Sequence, residues 1–210
     1  MGDDPLRRIL QEKARSAMRY VDYQALMARN VAEGSTTGAE QREDLIAYTA
    51  LNKVRMDRLD RTVRIPAGLS SLLHRIQKQT WLVLTETWCG DSAQNLPAIA
   101  AMAAATDRVD LLLLLRDEHP DLMERFLTKG ARAIPKLIAI GPEGEVNFTW
   151  GPRPATAQAM VMEQLALPPV ERLPSAARNT RLHAWYARDR NAELLNEFGT
   201  LLAPFAEPVV

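Results

Sequence analysis

The chain has 210 residues, of which 47% are hydrophobic and 25% are charged, a balance typical of a soluble globular protein. Lys and Arg together number 26, as do Asp and Glu, so the formal net charge is zero. A broad nucleic-acid-binding surface needs an excess of positive charge, and we therefore expect no nucleic-acid partner. The longest aliphatic runs, 98–105 and 111–115, are too short to span a bilayer, so we expect no membrane association.

The first ten residues, MGDDPLRRIL, lack the apolar segment of a secretory signal. The chain has one cysteine, which cannot form an internal disulfide. These two features together favour a reducing, cytoplasmic location.

The N-terminal third is predicted to form a helical hairpin. Residues 4–31 carry apolar side chains at mixed three- and four-residue spacings, which predict an amphipathic helix. Gly34 suits its C-terminal cap, and Thr36 or Thr37 is expected to cap the helix that follows. That second helix is predicted over 39–60, and the short connection makes the pair a hairpin.

From residue 62 the pattern changes to short strands that alternate with helices. Strands are predicted at 62–65, 81–86, 109–115, 136–140 and 145–150, and helices at 66–78, 92–105, 119–128 and 154–166. Alternation followed by a terminal hairpin predicts an α/β fold with a mixed central sheet and helices on both faces. Ligands of such sheets bind beyond the carboxyl ends of the parallel strands, where Cys89 lies.

A proline-rich connector (167–175) precedes a last helix, predicted over 177–202, whose Trp185 and Tyr186 are expected to pack against the rest of the chain. We therefore divide the chain into a helical hairpin, a central α/β domain, and a linker with a C-terminal helix. The corresponding ranges are 1–61, 62–167 and 168–210.

The histidines, at 74, 119 and 183, are spread over separate helical segments, so we expect no metal site.

A set of short motifs surrounds the cysteine. WCG (88–90) follows a buried strand and opens a helix, and Pro97 lies eight residues past the cysteine. Together with AIP (133–135) and Gly151, these motifs resemble thioredoxin over roughly 62–167. The resemblance implies a thioredoxin fold in which Pro135 is the cis-proline and Gly151 precedes the last helix of the domain.

The flanking segments resemble a bacterial thioredoxin-like family with an N-terminal helical extension, in which a small non-thiol residue can follow CGD. Three positions depart from the thioredoxin pattern. Val83 stands where thioredoxins have a buried Asp, the resemblance implies that Leu113 is the equivalent of the Lys that pairs with it, and Ser92 replaces the second thiol. Without a second thiol, turnover as a dithiol reductase is excluded.

Two opposing effects act on the Cys89 thiol. A helix N-terminus stabilises a thiolate and lowers the thiol pKa from its ordinary value of about 8.5. The Asp91 carboxylate raises that pKa if its charge points at the sulfur, or else it caps the helix and faces away. Ser92 can donate a hydrogen bond to the thiolate or cap the helix.

The resemblance also implies a substrate groove beside the cysteine. In this groove the Ile134 backbone pairs with an extended peptide, and Trp88 lies partly exposed next to the thiol. Gly90 and Asp91, which follow the cysteine, are assigned to the same groove.

Two arginines are candidate ligands of a substrate carboxylate. The loop 150–154, which contains Gly151 and Arg153, is expected to approach the groove, and Arg132 precedes the cis-proline segment. Either guanidinium suits a carboxylate such as that of glutathione, and either is expected to lower the Cys89 pKa.

Three functions compete. In the first, a monothiol protein, Cys89 attacks a disulfide, Ser92 and Pro135 complete the catalytic set, and an external thiol such as glutathione resolves the product. In the second, a redox-inactive module holds a peptide or protein in the same groove. In the third, CGDS corresponds to the CGFS of monothiol glutaredoxins, which share an iron–sulfur cluster, although Trp88 and AIP favour thioredoxin. We expect no resident cofactor, with glutathione as a co-substrate at most.

Overall fold

The computed structural model describes residues 4–207, and residues 1–3 and 208–210 of the predicted domain ranges lie outside the described part. The helices are α1 (Pro5–Ser16), α2 (Tyr20–Glu33), α3 (Glu43–Thr62), α4 (Ala67–Leu73), α5 (Gly90–Ala104), α6 (Pro120–Met123), α7 (Ala155–Ala166), α8 (Ser175–Asp189) and α9 (Ala192–Leu202). The strands are β1 (Met18–Arg19), β2 (Gln79–Thr85), β3 (Val109–Leu115), β4 (Lys136–Ile140) and β5 (Val146–Trp150).

The strands form one mixed sheet in the order β1-β3-β2-β4-β5. β2 and β3 are parallel, and the other neighbouring pairs are antiparallel. β4 and β5 form the predicted terminal hairpin. The mixed α/β architecture predicted from the sequence is therefore confirmed.

The edge strand of this sheet comes from an unexpected segment. Met18 and Arg19 pair with Leu113 and Leu112 of β3 and interrupt the helix predicted over 4–31. Residues 62–65, predicted as a strand, end α3 and continue as unpaired extended chain. The β3 edge thus finds its hydrogen-bond partner far back in the sequence, since an open strand edge favours pairing.

Two further predicted helices are interrupted. The helix predicted over 177–202 is divided between α8 and α9 by Arg190 and Asn191, which both adopt positive φ. The helix predicted over 119–128 is reduced to the single turn of α6, which a 3₁₀ turn precedes.

The sheet separates two apolar clusters. Alternate side chains of β2 point to opposite faces, so Trp81 and Val83 join one cluster while Leu82 and Leu84 join the other. The first face is covered by α2, α3, α4, α5 and α9, and the second by α1 and α6.

The terminal segments belong to the same core as the sheet. Tyr23 of α2, Met56 of α3 and Phe198 of α9 are fully buried in the cluster that contains Trp81. Helix α8 packs on α7, where Tyr186 is buried and Trp185 is partly buried, so the predicted packing of these two side chains is confirmed.

Candidate functional site

Cys89 lies at the junction of β2 and α5. Its backbone N–H donates to the Glu86 carbonyl oxygen at 3.1 Å, which turns the chain after β2. Cys89 then serves as the N-cap of α5, and its Sγ accepts a hydrogen bond from the Ser92 N–H at 3.5 Å. The sulfur therefore satisfies one of the free N–H groups of the first helical turn.

The Cys89 thiol is nonetheless buried. The residue is 7% exposed, and its Sγ–H donates to the Ile134 carbonyl oxygen at 3.3 Å. Burial first, and the nearby Asp91 carboxylate second, raise the pKa of the Cys89 thiol well above its ordinary value, to about 11. Of the two opposing effects expected at this position, the one that raises the thiol pKa prevails, because the loss of solvent outweighs the helix N–H groups.

Asp91 does not face away from the site. Its carboxylate forms an ion pair with Arg153 at 2.6 Å and accepts a hydrogen bond from the Tyr186 hydroxyl at 3.0 Å. Burial raises the pKa of the Asp91 carboxyl, while the Arg153 guanidinium acts to lower it. The Asp91 side chain therefore does not cap α5, and its charge contributes to the raised pKa of the thiol.

Ser92 is fully buried directly beneath the cysteine. Its hydroxyl oxygen accepts a hydrogen bond from the Thr85 hydroxyl at 2.8 Å, so the side chain ties the start of α5 to the end of β2. Its backbone N–H is the group that reaches the sulfur.

The segments 133–135 and 150–154 meet beside the cysteine. The Ile134–Pro135 peptide bond is cis, and Ile134 is 5% exposed. A Cβ added to Gly151, whose φ is +110°, would clash with the Pro135 carbonyl oxygen. Glycine is therefore required for the loop after β5 to approach the Pro135 backbone.

Neither predicted arginine contacts the sulfur. Arg153 is engaged by Asp91 and by Gln158, and Arg132 forms an ion pair with Glu124. The expectation that one of them lowers the Cys89 pKa is wrong, because their charges are directed at these other partners.

A cavity of about 490 Å³ opens beside the cysteine. Most of the predicted site residues line it, namely Trp88, Cys89, Gly90, Asp91, Arg132, Ile134 and Arg153. Ser92, Pro135 and Gly151 are not among the lining residues. The opposite wall is formed by α7 and α8.

Comparison with known proteins agrees with this architecture. A family model described as thioredoxin matches residues 38–166, more than half of the chain. The chain belongs to the thioredoxin family. No curated protein matches this thioredoxin-family chain at a significant level.

Two solved structures share the fold of this thioredoxin-family protein. A protein of unknown function from Pseudomonas aeruginosa is 22% identical with a TM-score of 0.54, and the match covers 73% of this chain and 83% of that one. An HIV epitope-scaffold protein is 19% identical with a TM-score of 0.50, and the match covers 89% of this chain and 96% of that one. At these identities the likeness establishes the fold alone.

Two of the three departures from the thioredoxin pattern form one apolar patch. Val83 and Leu113 are direct register partners on the parallel strands β2 and β3, and both are fully buried. The positions expected to hold an Asp and its Lys partner in thioredoxins are therefore adjacent here, and both are hydrocarbon.

Several residues of the site were missed in the sequence. Arg116 stacks on Trp88, with its guanidinium carbon 5.0 Å from the ring centroid, and it follows β3 at the carboxyl end of a parallel strand. Because ligands of such sheets bind at this end of the strands, the sequence position of Arg116 could have identified it as a site residue. His183, Tyr186 and the arginines of α8 gave no signal, because only the packing of α8 brings them to the cysteine.

Thr36 and Thr37 do not cap a helix, which corrects the prediction. Their hydroxyls join a buried network, in which Thr36 Oγ1 lies 2.6 Å from Thr49 Oγ1 and the Thr87 N–H donates to Thr37 Oγ1 at 3.0 Å. The Asn52 amide adds a bond to the Thr87 carbonyl oxygen at 3.0 Å. The loop between α2 and α3 thus holds the chain just before the cysteine.

Within residues 4–207, no three His, Cys, Asp or Glu side chains are grouped so that they could hold a metal ion. Nor does any helix in that range combine the length and the apolar character that a bilayer crossing requires.

Proposed function

We propose that this protein binds its ligand non-covalently in the cavity beside Cys89, and that Cys89 stays a protonated thiol at neutral pH. The observation that carries the proposal is the hydrogen bond from the buried Sγ–H to the Ile134 carbonyl oxygen. A donor must keep its proton, whereas a nucleophilic cysteine must lose it.

Other contacts support a binding role. The thiol is the only one in the chain, so the protein has no internal route to resolve a mixed disulfide. Helix α8 also lies against the start of α5, since a Cβ on Gly90 would meet the His183 ring at 3.4 Å. Cys89 therefore lines a cavity of about 490 Å³, and α8 forms part of the wall of that cavity.

The test is the rate of Cys89 alkylation by iodoacetamide as a function of pH. We expect a midpoint well above 8.5, and at pH 7 a rate on the order of a hundredfold below that of a free cysteine. The same protein unfolded in guanidinium chloride serves as the control and should react as a free cysteine does. A midpoint near 7 in the folded protein contradicts the proposal.

An Asp91→Asn variant tests the cause of the high pKa. Removing the carboxylate deletes a repulsive charge and leaves the Arg153 guanidinium uncompensated, so the midpoint should fall by about one unit or more. Asp107→Asn is the matched control, because Asp107 lies in the loop after the C-terminal end of α5 and its side chain is 91% exposed; it should leave the profile unchanged. An unchanged midpoint in Asp91→Asn would mean that burial alone sets the pKa.

Monothiol exchange is the second candidate, favoured by one contact, the Ser92 N–H directed at Sγ. In that reaction the Cys89 thiolate attacks a partner disulfide, a mixed disulfide forms and one partner thiolate leaves. A glutathione thiolate then attacks the partner sulfur of the mixed disulfide, which forms a glutathione–partner disulfide and releases the Cys89 thiolate. A folded-state midpoint near 7, together with disulfide-linked capture that Cys89→Ser abolishes, would favour this function over simple binding.

A further inference from the structure

We propose that the ligand of this cavity is a small organic anion with an apolar body, held by arginines of α8; this inference rests on the binding role proposed above. The chemical class follows from the charge, the lining and the size of the cavity.

The side chains that line the cavity carry more positive than negative charge. Its lining includes five arginines and a single carboxylate, that of Asp91; the arginines are Arg116, Arg132, Arg153, Arg178 and Arg181. Asp91 is already neutralised by Arg153. A ligand with a negative group therefore gains from entering the cavity, whereas a cationic ligand is repelled.

Arg178 and Arg181 are the two arginines free to bind that negative group. Within the described chain neither guanidinium pairs with a carboxylate, while Arg116 and Arg132 pair with Asp117 and Glu124. The two lie three residues apart on α8 and so share a face of the helix. Arg178 is also held in place, since it donates to the Leu173 carbonyl oxygen at 3.2 Å and to Ser175 Oγ at 3.1 Å.

A further cationic group lies next to Gly90, at the start of α5. Arg55 of α3 is half-buried, and its Nη1 lies 3.7 Å from a Cβ placed on Gly90. Its guanidinium donates to the neutral Asn52 amide oxygen at 3.0 Å rather than to a carboxylate. Its positive charge adds to the attraction for an anion at the start of α5.

The remaining wall of the cavity is apolar. It includes side chains from α3, α7 and the connector before α8, namely Leu45, Met160, Val161, Leu165 and Leu173. Arginines beside such a wall fit a molecule with one charged end and one hydrocarbon body. The volume of about 490 Å³ suits a small molecule, because ligand pockets of this class span roughly 300–1,000 Å³.

The test compares three probes of equal chain length by calorimetric titration: octanoate, octan-1-ol and octylammonium. We expect octanoate to bind at least about tenfold more tightly than octan-1-ol, since it alone pairs with a guanidinium. Octylammonium should bind most weakly. Equal affinities for octanoate and octan-1-ol would overturn the proposal, as would tighter binding of an acidic peptide of alternating Glu and Leu.

Substitutions of Arg178 and Arg181 test whether these arginines of α8 bind the anion. Arg181→Gln and Arg178→Gln should each weaken octanoate binding about tenfold and leave octan-1-ol within about twofold. Arg188→Gln is the matched control, because Arg188 is exposed on the same helix and is not part of the cavity lining. Arg181 makes no hydrogen bond within the described chain, so its variant keeps the test valid even if Arg178→Gln fails to fold. Undiminished octanoate binding by Arg181→Gln contradicts the assignment.

The alkylation profile, measured on the same protein, separates the two proposals. Slow alkylation without octanoate binding overturns the anion assignment and leaves the thiol as proposed. A thiol midpoint near 7 overturns the proposed function, whatever the octanoate result.

Discussion

At Gly151 the chain leaving β5 passes directly against the carbonyl oxygen of Pro135. A Cβ there would clash with that oxygen, and the φ of +110° is one that other residues rarely adopt. Gly151→Ala should therefore lower the free energy of unfolding by at least about 2 kcal/mol, because a backbone clash is added to a strained φ. The shift of the urea midpoint measures this loss.

Gly199 of α9 supplies the matched control for that substitution. A Cβ added to Gly199 meets nothing within 4 Å, and its φ is not positive. Gly199→Ala should raise stability by roughly 0.5–1 kcal/mol, since alanine favours a helix over glycine. Equal changes in the free energy of unfolding for the two substitutions would show that the close approach of Gly151 to Pro135 does not affect stability.

The motifs around Cys89 predict well those site residues that are close to it in the sequence. Cys89, Gly90 and Asp91 could be assigned to the site because a strand followed by WCG fixes their position locally. The environment of the thiol could not be predicted, since Tyr186 and Arg153 reach Asp91 from later helices and loops. The sign of the pKa shift depends on such long-range packing and on burial, which local patterns do not report.

For helices and strands, the boundaries that local sequence signals set were predicted correctly, and those that contacts with distant residues set were not. The β4–β5 hairpin and α7 follow local turn and periodicity signals and were predicted correctly. The break at Met18–Arg19 has no local signal such as Gly or Pro, because its cause is pairing with β3 about a hundred residues later. The break at Arg190 and Asn191 is similarly unmarked, although Asn tolerates positive φ better than most residues.

Helix α9 contributes a central side chain to the core. The Phe198 ring centroid lies 5.2 Å from that of Trp81 and 5.6 Å from that of Trp150, and Phe198 is fully buried. Phe198→Ala should lower the free energy of unfolding by about 3–5 kcal/mol, because it leaves a cavity among aromatic rings. Denaturant unfolding measures the loss. Val170→Ala is the control, since Val170 is 93% exposed; a comparable loss there would contradict this account.

At the scale of the whole molecule, helices from both ends of the chain close around the cysteine. α3 supplies Arg55 and α8 supplies His183, and the two meet against Gly90 at the start of α5. His183 is half-buried, and its Nδ1 lies 3.3 Å from the Gln94 side-chain amide nitrogen. Burial first, and the Arg55 charge second, lower the pKa of the His183 imidazole from 6.5 to about 4. The contact between these helices is therefore sensitive to protonation.

This shift makes the stability of the fold depend on pH in a defined direction. Between pH 6.5 and about 4 the unfolded chain binds a proton at residue 183 that the folded chain does not, so the contribution of His183 to stability is complete above pH 6.5 and is lost as the pH falls. His183→Gln should therefore unfold at a urea midpoint that falls less than that of the native protein between pH 7 and pH 4.5. Arg188→Gln, which alters an exposed residue of the same helix, should retain the native slope. Because the buried carboxyl groups with raised pKa are the same in all three proteins, the difference between the slopes isolates His183; parallel slopes would mean that α8 does not shield this imidazole from protonation.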